Sequence, residues 1–185
     1  MPEQVAFSHE EHLESPSTFI EAMAAAATPV SIVTTDGTAG CFGITVSAVV
    51  SVSADPPIVL ACINRRSPAV AAIDVNGVFC INMLGADQSE LANCFAGRPE
   101  AGEAFDFSRG DWREASTGAP VLQTAAASFD CILESSQDAS THRIIIGRVR
   151  RACSSERQPL AYSRRAYRVL QPLRNQPEPE WVRLK

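Results

Sequence analysis

The residues able to do chemistry are few. Three histidines occur, His9, His12 and His142, and the first two fall in an acidic N-terminal stretch that reads as a solvated arm. No serine sits in a G-x-S-x-G elbow, which argues against hydrolase-type acyl transfer. The six cysteines, Cys41, Cys62, Cys80, Cys94, Cys131 and Cys153, never fall within four residues of one another and mostly lie inside apolar runs. They supply neither a zinc knuckle nor a redox CxxC, and read as buried free thiols. No metal site is expected. GxGxxG and GxxxxGK[ST] are both absent, so a nucleotide would have to bind without a Rossmann turn or a P-loop.

One stretch does suggest a ligand. Thr45, Ser47, Ser51 and Ser53 recur two or four residues apart, which in an extended chain places them on one side and Val46, Val50 and Val52 on the other. That pattern describes a hydrogen-bonding surface and equally an ordinary exposed β face. Its sequel tips the balance: Asn64-Arg65-Arg66-Ser67 stands at a strand end just before a helix start, where guanidinium charge and backbone N–H groups suit a phosphate.

The elements that would position these residues are mostly strands. Thr18-x-x-Glu21 has capping-box spacing, and the alanine-rich run after it predicts a short amphipathic helix ending at Thr28-Pro29. "PVSIVTTDG" reads as strand and turn, residues 41–53 as one long strand or a bent pair, and "PIVLACIN" as a buried strand after Pro56-Pro57. Ser67-Pro68 and Asn76-Gly77 bracket a two-turn helix. "VFCINML" is a strand, Asp87-x-x-Glu90 predicts a second cap, and 97–119 is a long connection. "AAASFDCILESS", "HRIIIGRVRRA", "PLAYS" and "YRVL" complete the strands, with Gly147 as a bulge. Strands outnumber helices and do not alternate with them, so the expected fold is mainly β, an antiparallel barrel or curled sheet with a few peripheral helices.

The chain of 185 residues, 45% hydrophobic, suits one domain: an arm over 1–16, a domain over 17–172 and a proline-bearing tail over 173–185 that wraps the surface or a partner. No apolar run is long enough to cross a bilayer and the N-terminus is acidic, so no membrane association is expected and the protein is read as cytoplasmic. The net charge of −5 hides an asymmetry. Residues 1–142 carry 18 acidic and 5 basic side chains, residues 143–185 carry 3 and 11. The C-terminal arginines alternate with apolar residues, which fits a solvated strand face or a phosphate-bearing ligand better than a nucleic-acid arm.

The segments "FIEAMAAAATPVSIVTTDGTAGCFGITVSAVVSVSADPPIVLACINRRS", "NGVFCINMLGADQSELANCFAG", "STHRIIIGRV" and "PLAYSRRAYR" resemble the short-chain flavin reductase family. The likeness spans residues 18–170 in order and rests most on the T-x-S-A-x-x-S-V-S-x-x-P-P core. Within the family it is nearest the reductase components of two-component aromatic hydroxylases. The resemblance implies a split antiparallel β-barrel with Greek-key connections, assembled as a homodimer. Such a protein binds FMN or FAD, takes hydride from NADH or NADPH, and passes reduced flavin by diffusion to a separate monooxygenase. It implies that Thr45, Val46 and Ser47 line the isoalloxazine, that Ser51 and Ser53 lie toward the ribityl and phosphate, and that Asn64, Arg65, Arg66 and Ser67 hold the phosphate end. Phe95, Ala96 and Gly97 match the segment beside the flavin, although Phe95 alone reads as a core aromatic. Tyr162, Arg164, Arg165 and Tyr167 match a stretch that contacts the dinucleotide or the dimer mate. Ser140-Thr141-His142 stands where many members have Gly-Asp-His, and His142 is the candidate for orienting the nicotinamide, a structural histidine being the alternative. Two other readings stay open: a flavin or haem carrier on the same barrel that does not turn over, and a flavin reductase of pyrimidine degradation.

Overall fold

β-branched and aromatic runs dominate the chain from Thr28 onward, and in the computed structural model, which describes residues 15–171, they form twelve strands and leave room for only three helices. Helix α1 (Pro16–Ala24) precedes β1 (Thr28–Pro29), β2 (Ser31–Thr35), β3 (Phe42–Val46), β4 (Val49–Ala54) and β5 (Pro57–Asn64). Helix α2 (Pro68–Asn76) and β6 (Val78–Met83) lead to α3 (Ser89–Phe95). The described residues continue through β7 (Trp112–Glu114), β8 (Pro120–Leu122), β9 (Ala127–Ala139), β10 (His142–Ser154), β11 (Leu160–Ser163) and β12 (Ala166–Val169). Residues 1–14 of the expected arm and the whole of the expected tail lie outside the described residues, while Ser15 and Pro16, expected in the arm, begin α1.

Seven strands pair antiparallel in the order β3-β2-β6-β9-β10-β5-β4. β3 and β4 hold opposite edges of that sheet, yet only Ser47 and Ala48 separate them in the chain. The two edges therefore share a corner at Ser47-Ala48 and the sheet curls into a barrel with its seam there, the β4-β5 ladder running up to that corner through a Cys62 N–H that donates to the Ala48 carbonyl at 3.0 Å. This is the mainly β barrel that the strand pattern predicts, in the split form that the family resemblance implies. Small two- and three-stranded sheets, β7-β8 and β1-β11-β12, flank it.

Two apolar clusters hold the molecule together. Val33, Val46, Val59, Ile63, Phe79, Ile81 and Ile145 fill the barrel, and α2 plugs one end with Val70 and Ile73. Outside it, Val30, Ile32, Leu84, Phe95, Leu122 and Leu160 pack under α3, with Phe95, Phe107 and Trp112 meeting edge to face at centroid distances of 4.9 to 5.5 Å. The long β9-β10 hairpin shifts register at Ile146/Gly147. A Cβ on Gly147 would come within 2.7 Å of Phe79 Cε1, so the glycine lets the bulged strand close over the ring.

Several local expectations need correction. The Thr18-x-x-Glu21 spacing does not start α1: Ser15 is the N-cap, its Oγ accepting from Thr18 N–H at 3.2 Å, and Pro16 opens the helix. Asp87 does not cap α3, which begins after Gln88; it pairs with Arg157 at 2.9 Å instead. Val50 and Val52 do not join Val46 on a buried side but stand 55% and 51% exposed, because the bend at Ser47-Ala48 and a register shift between Ser51 and Ser53 reset the alternation. Of the six free cysteines Cys80, Cys94 and Cys131 are buried and Cys62 is half-buried, whereas Cys41 and Cys153 are exposed. Among the described residues no group of three or more metal-ligating side chains gathers, and no helix is long and apolar enough to cross a membrane.

Candidate functional site at the barrel seam

The seam brings the hydroxyl-rich chain and the arginine loop to one place. Ser47 directly precedes Ala48, whose carbonyl meets Cys62 N–H, and Asn64 follows two residues later, paired in register with His142 on β10. On one side of this end opens a cavity of about 170 Å³ lined by Val30, Thr45, Val46, Ser47, Ala96, Arg98, Tyr162 and Tyr167. On the other lies a groove of about 610 Å³ lined by Asn64, Arg65, Arg66, Ser140 and Thr141.

Each wall has a local cause. Tyr162 and Tyr167 face each other across the two-residue hairpin between β11 and β12, with centroids 5.5 Å apart at 65°. The Tyr167 hydroxyl donates to Asn93 Oδ1 at 2.9 Å, and burial raises its pKa. Thr45 spends its hydroxyl on the Ala92 carbonyl at 2.8 Å, tying β3 to α3, whereas the exposed Ser47 hydroxyl has no partner among the described residues. Arg98 reaches the cavity because the chain turns sharply at Gly97, where φ is +73°, and its backbone N–H returns to the Asn93 carbonyl at 2.9 Å. Its guanidinium forms no ion pair among the described residues, so the cavity presents aromatic faces, hydroxyls and one uncommitted cation. Sequence reading missed Arg98, although its place directly after Phe95-Ala96-Gly97 was the available signal.

In the groove, Asn64 Oδ1 accepts from Arg66 N–H at 3.0 Å, and the Ser67 hydroxyl caps α2 by accepting from Ala69 N–H at 3.3 Å. The Arg65 guanidinium pairs with Asp138 at 3.0 Å, while Arg66 makes no side-chain contact of this kind among the described residues. His142 is exposed, with Nδ1 2.9 Å from Thr141 Oγ1.

Most of the remaining site residues stand apart from these two surfaces. Phe95 is fully buried in the aromatic cluster, its ring filling the space that a Cβ on Gly43 would take. Ala96 lines the cavity, while Gly97 supplies the turn beside it. Ser51 and Ser53 lie farther along β4. Arg164 and Arg165 form the hairpin tip with φ of 50° and 60°, beside α1, where Arg164 N–H donates to the Ala24 carbonyl. They line a separate 550 Å³ hollow with Ser17, Ile20 and Glu21.

A barrel split along one seam, with a polar and aromatic cleft at that seam and no Rossmann or P-loop element, defines the split-barrel class of flavin reductases. The chain matches the flavin reductase like domain over residues 23–171 and belongs to that family. It is 42% identical over 153 residues to the protein named FMN reductase (NADH) RutF 1 of Methylorubrum extorquens, covering 82% of this chain and 75% of that one. Among solved structures it resembles BorF, the flavin reductase component of a bacterial two-component tryptophan halogenase, at 30% identity with a TM-score of 0.76 over 86% of this chain and all of that one. It also resembles the Streptomyces globisporus NADH:FAD oxidoreductase SgcE6 in complex with NAD and FAD fragments, at 25% identity with a TM-score of 0.76 over 88% and 99% of the two chains.

Proposed function

We propose that the protein is an NADH-dependent flavin reductase that reduces FMN or FAD and releases the product to a separate flavin-dependent monooxygenase. The observation that carries the reading is the seam cleft, aromatic on one wall, hydroxyl-bearing on the other, with an uncommitted guanidinium at its edge. That donor set fits a planar heteroaromatic ring bearing an electron-rich edge. A flavin and a nicotinamide, when bound, would supply the hydride chemistry between them. The chain's own residues bind and orient: Val30, Val46 and the tyrosines exclude water from the rings, Ser47 and Arg98 offer donors to the flavin edge, and the Asn64–Ser67 loop faces the phosphate end. His142 orients the nicotinamide from the adjoining strand. NADH and FMN are the preferred pair by likeness to the relatives named FMN reductase (NADH).

A cavity of about 170 Å³ is small beside the roughly 300–1,000 Å³ of ordinary ligand pockets, which supports a homodimer whose second copy completes the walls. A second reading, the flavin reductase of pyrimidine degradation, draws on the relatives named RutF and differs only in the recipient of the reduced flavin. The test is absorbance at 340 nm with NADH or NADPH and added FMN, FAD or riboflavin. The expected result is steady loss far above protein-free controls; tight flavin binding with no loss for either nicotinamide would leave a carrier instead.

A further inference from the structure

Arg65 is the most heavily committed residue of the Asn64–Ser67 loop, and nearly everything it holds belongs to the turn between β9 and β10. Its backbone N–H donates to the Thr141 carbonyl at 3.1 Å, one guanidinium nitrogen donates to the Ser140 carbonyl at 3.2 Å, and another pairs with Asp138 at 3.0 Å. Asp138 also accepts from Arg143 at 2.7 Å, and Arg143 reaches on to Asp74 of α2, where Ser136 Oγ donates at 2.8 Å. The turn gripped in this way contains Ser140 at a φ of 53°, a left-handed conformation that a serine does not favour unaided. His142 follows two residues later, and its ring nitrogen leans on Thr141, the residue whose carbonyl Arg65 holds.

We propose that Arg65, through Asp138 and the 140–141 carbonyls, is a positioning residue that fixes the His142 turn, and that Arg66 is the anion-binding side chain of the loop. The proposal rests on the reading of the chain as a nicotinamide-dependent flavin reductase with His142 beside the nicotinamide. A phosphate at Arg65 would have to displace or sit beside the Asp138 carboxylate, a like charge, whereas Arg66 has no such competitor among the described residues. The Arg65 and Asp138 side chains are 50% and 42% exposed, so losing the pair disturbs the turn without unfolding the barrel.

The experiment compares Arg65→Ala, Asp138→Ala, Arg66→Ala and Arg65→Lys for FMN and riboflavin affinity, for the KM of NADH, and for the His142 imidazole NMR signal, assigned with His142→Ala. Arg65→Ala and Asp138→Ala are expected to act alike: the imidazole signal moves, KM for NADH rises by about fivefold or more, and the FMN-to-riboflavin affinity ratio stays fixed. Arg65→Lys, which keeps the charge facing Asp138, recovers part of the loss. Arg66→Ala weakens FMN by about tenfold and spares riboflavin. A selective loss of FMN in Arg65→Ala, or tighter FMN in Asp138→Ala, would overturn the proposal and make Arg65 the phosphate ligand. An imidazole signal that moves while His142→Ala leaves KM for NADH unchanged keeps the clamp and sinks the nicotinamide role of His142.

Discussion

Phe95 and Arg98 stand three residues apart and test opposite things. The Phe95 ring is fully buried between Phe107, Trp112 and Gly43, so Phe95→Ala removes core volume and is expected to cost about 3–5 kcal/mol of stability, read by urea unfolding. Arg98 lies on the surface at the edge of the seam cavity with no ion-pair partner among the described residues. Arg98→Ala should leave the unfolding midpoint within about 0.5 kcal/mol of wild type while weakening flavin or NADH binding about tenfold, the loss of one charge-assisted hydrogen bond. A change in stability without a change in binding would remove Arg98 from the site. Burial and the nearby Asp36 push the Cys41 thiol up to about 11, so at neutral pH maleimide should label the exposed Cys153 ahead of Cys41, with Cys80, Cys94 and Cys131 reacting only on unfolding.

At the scale of elements, Gly147 is where packing dictates sequence. Its bulge lets β10 pass over Phe79, and Gly147→Ala forces a methyl into that ring, at an expected cost of about 1–3 kcal/mol read as a lowered melting temperature. Addition of Phe79→Leu should recover part of the loss by opening the space, and purely additive effects would locate the cost elsewhere. The bulge was legible because a lone glycine broke a strong strand pattern, and α2 was legible because Ser67-Pro68 and Asn76-Gly77 fix both ends by short-range chemistry. Ser15-Pro16 carries the same start signal as Ser67-Pro68, yet the Thr18-x-x-Glu21 spacing obscured it. Val50 and Val52 were misread because alternation records only local parity, which a bend and a register shift both reset. The seam was not legible at all: β3 and β4 stand at opposite ends of the strand order although only Ser47-Ala48 separates them, a closure that no local pattern announces. For the same reason the ion pair joining Arg65 to Asp138, 73 positions along the chain, left no trace in the spacing of either.

For the whole molecule, uncovered apolar surface and buried thiols make separate demands. α1 buries none of its residues, leaving Phe19, Ile20 and Met23 at 61%, 51% and 54% exposure, and β4 at the sheet edge shows Val50 and Val52. A second copy covering such surfaces should bury over about 1,000 Å², so sedimentation velocity at micromolar concentration is expected to give twice 19.9 kDa, and a monomer would count against the assembly. The thiols set the alkaline limit. Burial, then Asp130, holds Cys131 at about 12 against an ordinary 9.0, and burial followed by the same carboxylate raises Cys80 as well. Above pH 9 the unfolded chain gives up these two protons while the folded barrel keeps them. The unfolded state then binds fewer protons, so stability falls as pH rises, by up to about 1.4 kcal/mol per pH unit for each thiol. The contribution is complete below pH 9 and is lost progressively toward pH 12. Urea unfolding of wild type and a Cys80→Ala, Cys131→Ala double variant between pH 8 and 10.5 checks this. The variant starts lower because it lacks two core sulfurs, but its stability should decline less steeply, and parallel declines would place the alkaline sensitivity on other groups.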